Sequence, residues 1–116
     1  MNLRYLVFLG LILILAGCAT STPSGNPAFI DQLIEQFENE PVGNPPQSIW
    51  SYAYNGQVVY YIPPQCCDQF STLYNASGNV ICAPDGGIDG KGDGGCTDFF
   101  STRINELLIW QDTRTP

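Results

Sequence analysis

The stretch SIWSYAYNGQVVYYI, residues 48–62, decides the fold because it predicts a β-hairpin and fixes its register. β-branched and aromatic residues stand on both sides of Asn55-Gly56, the dipeptide that most strongly indicates a two-residue hairpin turn. From the turn outward, the predicted facing pairs on one face are Tyr54–Gln57, Tyr52–Val59 and Trp50–Tyr61. Side chains alternate between the two faces of a strand, so both faces of this hairpin carry apolar groups.

One face of the hairpin is rich in aromatic side chains: Trp50, Tyr52, Tyr54 and Tyr61. A single helix covers only one face of a small sheet, so the other face must pack against the C-terminal segment or stay exposed. If exposed, these four residues would form a recognition surface. Cross-strand packing explains the same residues without a ligand. We favour packing and retain the four as a candidate binding surface.

A helix is predicted before the hairpin. Apolar residues recur at the spacing i, i+3, i+4 and i+7, at Ile30, Leu33, Ile34 and Phe37. This spacing is typical of an amphipathic helix with one face in the core. Asn26 is expected to be the N-cap, Pro27 the first helical residue, and Pro41 the end of the helix.

Two further segments complete the predicted fold. Residues 72–75 and 80–83 are expected to form a second hairpin around the turn residues 76–79. Near the C-terminus, a turn of helix beginning at Asp98 is expected to precede a last edge strand at residues 107–110. The predicted class is α+β, with one N-terminal helix packed on a small antiparallel sheet of two hairpins and stapled by disulfides.

The N-terminus, MNLRYLVFLGLILILAGC, indicates export. One basic residue, Arg4, precedes an apolar run too short to span a bilayer comfortably and ending in small residues, as in a signal peptide. The ending Leu15-Ala16-Gly17-Cys18 is typical of a bacterial lipobox, in which Cys18 is lipidated and residues 1–17 are removed. The alternatives are an ordinary secretory signal and an uncleaved anchor.

The predicted organisation is therefore a signal peptide at 1–17, a lipidated tether at 18–26 and a single domain at 27–116. Several acyl chains on Cys18 would anchor the protein stably to a membrane. Because Ala19 rather than aspartate follows the lipid site, we expect the outer membrane, with the domain facing the periplasm.

Four cysteines remain for the exported domain: Cys66, Cys67, Cys82 and Cys96. An even count in a small exported domain indicates two disulfides, and three pairings are possible. Adjacent residues of an extended chain point to opposite sides, and a Cys66–Cys67 bond would close a strained eight-membered ring. Two pairings remain in which Cys66 and Cys67 reach different partners, and of these we favour Cys67–Cys82 with Cys66–Cys96. Zinc and thioredoxin-like redox roles are disfavoured by the spacing and by the lack of histidine.

The loop PDGGIDGKGDGGC, residues 84–96, places Asp85, Asp89 and Asp93 at intervals of four among glycines. Ca²⁺ accepts six to eight oxygens from flexible loops. A calcium site on these three aspartates is therefore a minor alternative, and the sequence indicates no other cofactor. The match to an EF-hand is poor, and Lys91 adds a positive charge. We favour a tight loop in which the aspartates accept local N–H groups and Cys96 fixes the end.

The vicinal pattern CCDQF at 66–70 and the pattern GGIDGKGDGGC at 86–96 resemble those of a family of small bacterial lipoproteins defined by a domain of unknown function. The resemblance covers roughly residues 45–110. It implies that the four domain cysteines form one structural unit. It implies no activity and no catalytic residue.

Composition argues against catalysis. The chain has no histidine, the usual general base near neutral pH, and its cysteines are assigned to lipid and disulfides. Removal of the signal peptide would take away Arg4 and change the net charge from −7 for the whole chain to −8 for the mature protein. This acidic charge argues against nucleic acid as a partner. The expected function is a non-catalytic binding or structural module of the envelope. The alternative is an inhibitor of a basic secreted enzyme such as a lysozyme, steered by charge. Nothing in the sequence indicates an oligomeric state.

Overall fold

A computed structural model describes Gly17 and residues 25–116 of the chain. The predicted signal peptide, the lipidation site Cys18 and most of the tether therefore lie outside the described residues. Within the described residues, no helix has the length and apolarity needed to cross a membrane.

The domain consists of two helices and one five-stranded sheet. In chain order the elements are α1 (Ala28–Asn39), β1 (Ser48–Tyr54), β2 (Gln57–Ile62), β3 (Thr72–Asn75), β4 (Val80–Cys82), α2 (Phe99–Thr102) and β5 (Ile104–Gln111). The strand order is β4-β3-β2-β1-β5, with every neighbouring pair antiparallel. The predicted α+β class, with a helix on an antiparallel sheet and two disulfides, is confirmed.

The central hairpin has the predicted register. Asn55 and Gly56 both have positive φ, 50° and 74°, as a type I′ turn requires. The facing pairs are Tyr54–Gln57, Ala53–Val58, Tyr52–Val59, Ser51–Tyr60 and Trp50–Tyr61. Because a slip of one residue would exchange the two faces, this register determines which side chains meet α1 and which meet the C-terminal segment.

α1 covers one face of the sheet. The buried cluster beneath it contains Ile30, Phe37, Ile49, Tyr60 and Ile62, so the predicted apolar stripe is core. The N-cap prediction was wrong by one residue. Pro27 occupies that position without a side-chain cap, and its carbonyl accepts the N–H of Ile30 at 3.0 Å.

The opposite face is covered by the chain that follows β4. Phe99, at the start of α2, is fully buried against the sheet, together with Leu73 and the Cys82–Cys96 disulfide. The predicted order of a helical turn and then a strand is confirmed. β5 is longer than predicted because β1 offers it partners from Ala53 to Ser48.

Arg114 joins the C-terminal segment to the end of α1. Its guanidinium donates to the carbonyl oxygens of Phe37 and Glu38 at 2.8 and 3.0 Å, in the last turn of the helix. Carbonyls there have few N–H partners within the helix, and that of Phe37 also accepts the N–H of Glu40. The same group pairs with the buried carboxylate of Asp112 at 2.7 Å. The backbone N–H of Asp112 donates to the carbonyl of Gln47 at 2.8 Å.

We expect the substitution Asp112→Asn to destabilise the protein most at neutral pH. The hydrogen bond from the Arg114 side chain, with its charge, holds the pKa of Asp112 below its usual value. A carboxyl group with a lowered pKa stabilises the fold above its unfolded-state pKa, and this contribution is lost as the pH falls through the folded-state pKa. Denaturant unfolding should show the full difference in free energy of unfolding between wild type and variant near neutral pH. This difference should narrow as the pH falls below the ordinary aspartate pKa of about 3.9. A pH-independent difference would contradict this assignment.

Candidate interaction surfaces and the predicted site residues

The predicted aromatic recognition surface is buried. Tyr52, Tyr54 and Tyr61 are 5%, 8% and 7% exposed, and Trp50 is half-buried with its indole N–H donating to Ser48 at 3.0 Å. These side chains form the core under Phe99. The packing interpretation is therefore right, and these residues do not offer an exposed binding surface.

Two tyrosine–aspartate hydrogen bonds fix the segments that cover this core. The hydroxyl of Tyr61 donates to the carboxylate of Asp85 at 2.9–3.0 Å, and Tyr54 donates to Asp98. Burial, and then the bond to Asp85, raises the pKa of Tyr61 far above its usual value. The bond to Asp98, and then burial, raises the pKa of Tyr54. Both hydroxyls remain protonated, as structural donors must.

Arg103 is a further residue that the sequence did not indicate. Its guanidinium lies 4.7 Å from the ring centre of Tyr52 and 4.6 Å from that of Phe100. A guanidinium over an aromatic face is attracted by the ring quadrupole. Arg103 therefore packs over the aromatic core just before β5 and has a structural role there.

The predicted disulfide pairing is wrong. The bonds are Cys66–Cys67 and Cys82–Cys96. The prediction assumed an extended chain at Cys66-Cys67, whereas the structure has a cis peptide bond there, and the two Cα atoms are 3.0 Å apart. Cys67 is thus not available to Cys82. The Cys82–Cys96 bond is buried, while Cys66 and Cys67 are exposed.

Disulfide mapping should reproduce this pairing. Because the two bonds use all four domain cysteines, labelling of the unfolded but unreduced protein should find no free thiol in the domain. Mass spectrometry of unreduced peptides should then show the segment around Cys82 joined to the segment around Cys96. A peptide that joins Cys66 or Cys67 to Cys82 or Cys96 would contradict the pairing in the structure.

The glycine–aspartate loop is held by local hydrogen bonds. Asp89 accepts the N–H of Lys91 at 3.0 Å, and Asp93 accepts the N–H of Gly95 at 2.8 Å. Asp85 instead accepts from the sheet, through Tyr61. Among the described residues no group of three or more His, Cys, Asp or Glu side chains is arranged to hold a metal ion. The structure therefore does not bring the three predicted calcium ligands together.

Glycine is required at one position of this loop for a clear reason. Gly92 has φ +70°, and a Cβ there would collide with the backbone of Ala83 and Asp85. The loop thus passes directly over the end of β4, with the N–H of Asp93 donating to the carbonyl of Ala83 at 2.9 Å. The result is a rigid loop whose tip, Ile88, is 92% exposed.

β5 forms one edge of the sheet and presents exposed apolar side chains at Ile104, Leu107 and Leu108. Its pairing with β1 is interrupted by two register shifts, and Asn105 has φ 57°. Bulges and irregular backbone at an edge disfavour the addition of another strand. The irregular backbone of β5 therefore protects this edge against pairing with a strand of another chain.

A groove lies beside β3, between α1 and the loop that joins β2 to β3. It consists of two adjoining cavities, of about 270 and 210 Å³, which share Leu33, Gln36 and Tyr74. Five of the chain's seven glutamines line it: Gln32, Gln36, Gln47, Gln65 and Gln69. We call it the glutamine groove. None of its lining residues is charged.

The groove's amides are only partly engaged by the protein. Gln36 donates to Glu40 at the rim at 2.9 Å, and Gln65 donates to the carbonyl of Pro45 at 3.0 Å. Within residues 25–116, no hydrogen bond holds the side chains of Gln32, Gln47 or Gln69. A side-chain amide both donates and accepts hydrogen bonds but does not titrate. The glutamines of the groove can therefore orient a polar ligand through hydrogen bonds.

The chain was compared with known proteins. The model of a protein family described as a domain of unknown function (DUF6970) matches residues 35–112. This match includes all five strands, the four domain cysteines and most of the glutamine groove. No curated protein and no solved structure matches the chain.

Proposed function

The chain belongs to the family of the domain of unknown function DUF6970, and from this premise we propose that it is a non-catalytic binding module of the bacterial cell envelope. In this proposal the domain is tethered through lipid on Cys18 to the outer membrane and faces the periplasm. The glutamine groove is its binding surface.

The observation that carries the proposal is the chemistry of the groove. Its polar lining is dominated by amides, which orient a ligand through hydrogen bonds but neither attack it nor transfer protons at neutral pH. A concave site with apolar walls and a few converging polar groups is the usual form of a ligand site. The aromatic face, by contrast, is occupied by the protein's own core.

The anchoring part of the proposal rests on Leu15-Ala16-Gly17-Cys18 and predicts a specific mass. Protein extracted from membranes should lack residues 1–17 and carry acyl chains on Cys18. Intact-mass measurement checks this, and membrane fractionation should place the protein in the outer membrane. An unmodified Cys18, or a mature chain that begins elsewhere, would contradict the anchor.

Photo-crosslinking in intact cells tests the binding part. A photoreactive residue is placed at Gln32 or Gln69, which are exposed positions of the groove, and at Gln57, an exposed control position at the start of β2. We expect both groove positions to capture the same species and the control to capture none of it. Equal capture from all three positions, or no capture from the groove, would refute the binding role.

Inhibition of a basic enzyme is a second candidate, and the exposed tip Ile88 favours it. An apolar side chain on a rigid loop, flanked by Asp89, has the form of a residue that enters the cleft of a basic enzyme. The acidic net charge would steer such an encounter. The protein should then inhibit lysozymes stoichiometrically at low salt, and Ile88→Asp should abolish inhibition while Val58→Asp preserves it. Full lysozyme activity at saturating protein would exclude this function.

A further inference from the structure

We propose that the glutamine groove binds an uncharged saccharide chain. This inference rests on the proposed binding function and adds the chemical class of the ligand. It is carried by three features of the groove: its amide lining, its aromatic rings and its lack of charge. A fourth feature, the pairing of β3, separates a saccharide from a peptide.

The amide lining matches hydroxyl groups. Each glutamine side chain offers an N–H₂ donor and a carbonyl acceptor in one plane, and neighbouring sugar hydroxyls offer the same pair of functions. Gln47 precedes β1 and Gln69 follows β2, and both line the larger cavity. The cavity therefore offers paired donors and acceptors from separate segments of the chain.

Aromatic rings provide the apolar part of the site. Tyr74 lines both cavities and is half-buried, and Phe70 lines the larger one and is exposed. The ring of Phe29 lies 5.5 Å from that of Tyr74 and supports it from the α1 side. A sugar ring has a face of C–H groups that packs on such flat apolar surfaces, while its hydroxyls point outward to the amides.

The absence of charge selects against ionic ligands. The chain has 11 acidic and four basic residues, yet none of them lines the groove. An anionic ligand would find no cation there and would be repelled by the net charge of −7. A cationic ligand would find no carboxylate in the lining either, and the neighbouring Glu40 already accepts a hydrogen bond from Gln36.

The pairing of β3 disfavours an extended peptide. Peptides are commonly bound by adding a strand to a free sheet edge. β3 forms one wall of the groove through Thr72 and Tyr74, but it is paired with β2 on one side and β4 on the other. Its backbone groups are therefore unavailable to a ligand, and recognition falls to the side-chain amides and rings.

Calorimetry on the full chain in detergent micelles tests the proposal. The probes are chitotetraose and maltotetraose as uncharged saccharides, tetragalacturonate as an anionic saccharide, and an uncharged tetrapeptide. We expect saturable binding of at least one uncharged saccharide and no binding of the other two probes. The substitutions Gln36→Ala and Gln69→Ala should each weaken binding about three- to tenfold, the range for one lost neutral hydrogen bond. Gln57→Ala and Gln111→Ala, outside the groove, should leave it unchanged.

Each outcome is decisive for the ligand class. The inference would be overturned if tetragalacturonate or the tetrapeptide bound more strongly than the uncharged saccharides, or if none of the probes gave heat of binding. It would also be overturned if all four variants lost affinity for the saccharide equally. Melting temperatures of the variants, whose substituted residues are all exposed, serve as the control for folding. If in-cell crosslinking from the groove still captures one species while every saccharide fails, the saccharide inference is wrong and the binding function stands.

Discussion

Replacing Phe99 by alanine should lower the free energy of unfolding by about 3–5 kcal/mol, the range for removing a buried phenylalanine side chain. Phe99 is 0% exposed, and its ring centre lies 5.4–5.7 Å from those of Tyr52, Tyr54 and Tyr61. The variant would leave a cavity in the core between the sheet and α2. Denaturant unfolding of wild type and variant measures the loss.

The neighbouring residue provides a matched control. Phe100 is 42% exposed and adds its ring to the same cluster from outside. Folding buries less apolar surface at Phe100 than at Phe99. Phe100→Ala should therefore lower the free energy of unfolding by only about 1 kcal/mol. Equal losses in the two variants would show that Phe99 does not close the core between the sheet and α2.

Removing the Cys82–Cys96 bond should have the second large effect. Its cysteines are separated by 14 positions, and a closed loop of about 15 residues restricts the unfolded chain by about 3 kcal/mol. Both cysteines are also buried, so the double variant Cys82→Ala with Cys96→Ala loses packing as well. We expect a loss of about 3–5 kcal/mol in denaturant unfolding.

The vicinal bond is the control for this prediction. Cys66 and Cys67 are adjacent and exposed, so their bond closes almost no loop of the unfolded chain. The double variant Cys66→Ala with Cys67→Ala should therefore change stability by less than about 1 kcal/mol. A larger loss from the vicinal pair than from Cys82–Cys96 would reverse the assigned roles of the two disulfides.

Local patterns in the sequence predicted most of the fold. Asn55-Gly56 permits few turn geometries. The alternation of side chains between the two faces of the flanking strands then leaves one pairing register for the hairpin, and β1 and β2 have this register. The helical spacing of Ile30 to Phe37 likewise predicts the face that α1 buries. In both cases the determining residues are neighbours in the chain.

Contacts between distant residues could not be predicted in this way. Tyr61 meets Asp85 across 24 positions and Tyr54 meets Asp98 across 44, so no local spacing indicates either bond. The sequence did not decide whether the aromatic face of the β1–β2 hairpin is exposed or buried. Its burial depends on how the segment after β4 folds back over the sheet. The disulfide pairing failed because it assumed an extended backbone at Cys66-Cys67.

The glutamine groove has no sequence signal for the same reason. Its glutamines come from α1, from the segment before β1 and from the loop between β2 and β3. Each is an ordinary polar residue in its own segment. The packing of α1 beside β3 brings them around one concave surface. Their lack of charge then becomes a property of the whole groove and indicates an uncharged ligand.

The most direct test of the central claim is an NMR spectrum of the side-chain amides of the ¹⁵N-labelled full chain in detergent micelles. Solubilised envelope from the cells that produce the protein is added as the source of ligand. We expect the amide signals of the groove glutamines to shift and those of Gln57 and Gln111, which lie outside the groove, to stay unchanged. Unchanged groove signals, or changes confined to the loop around Ile88 or to β5, would contradict the central claim.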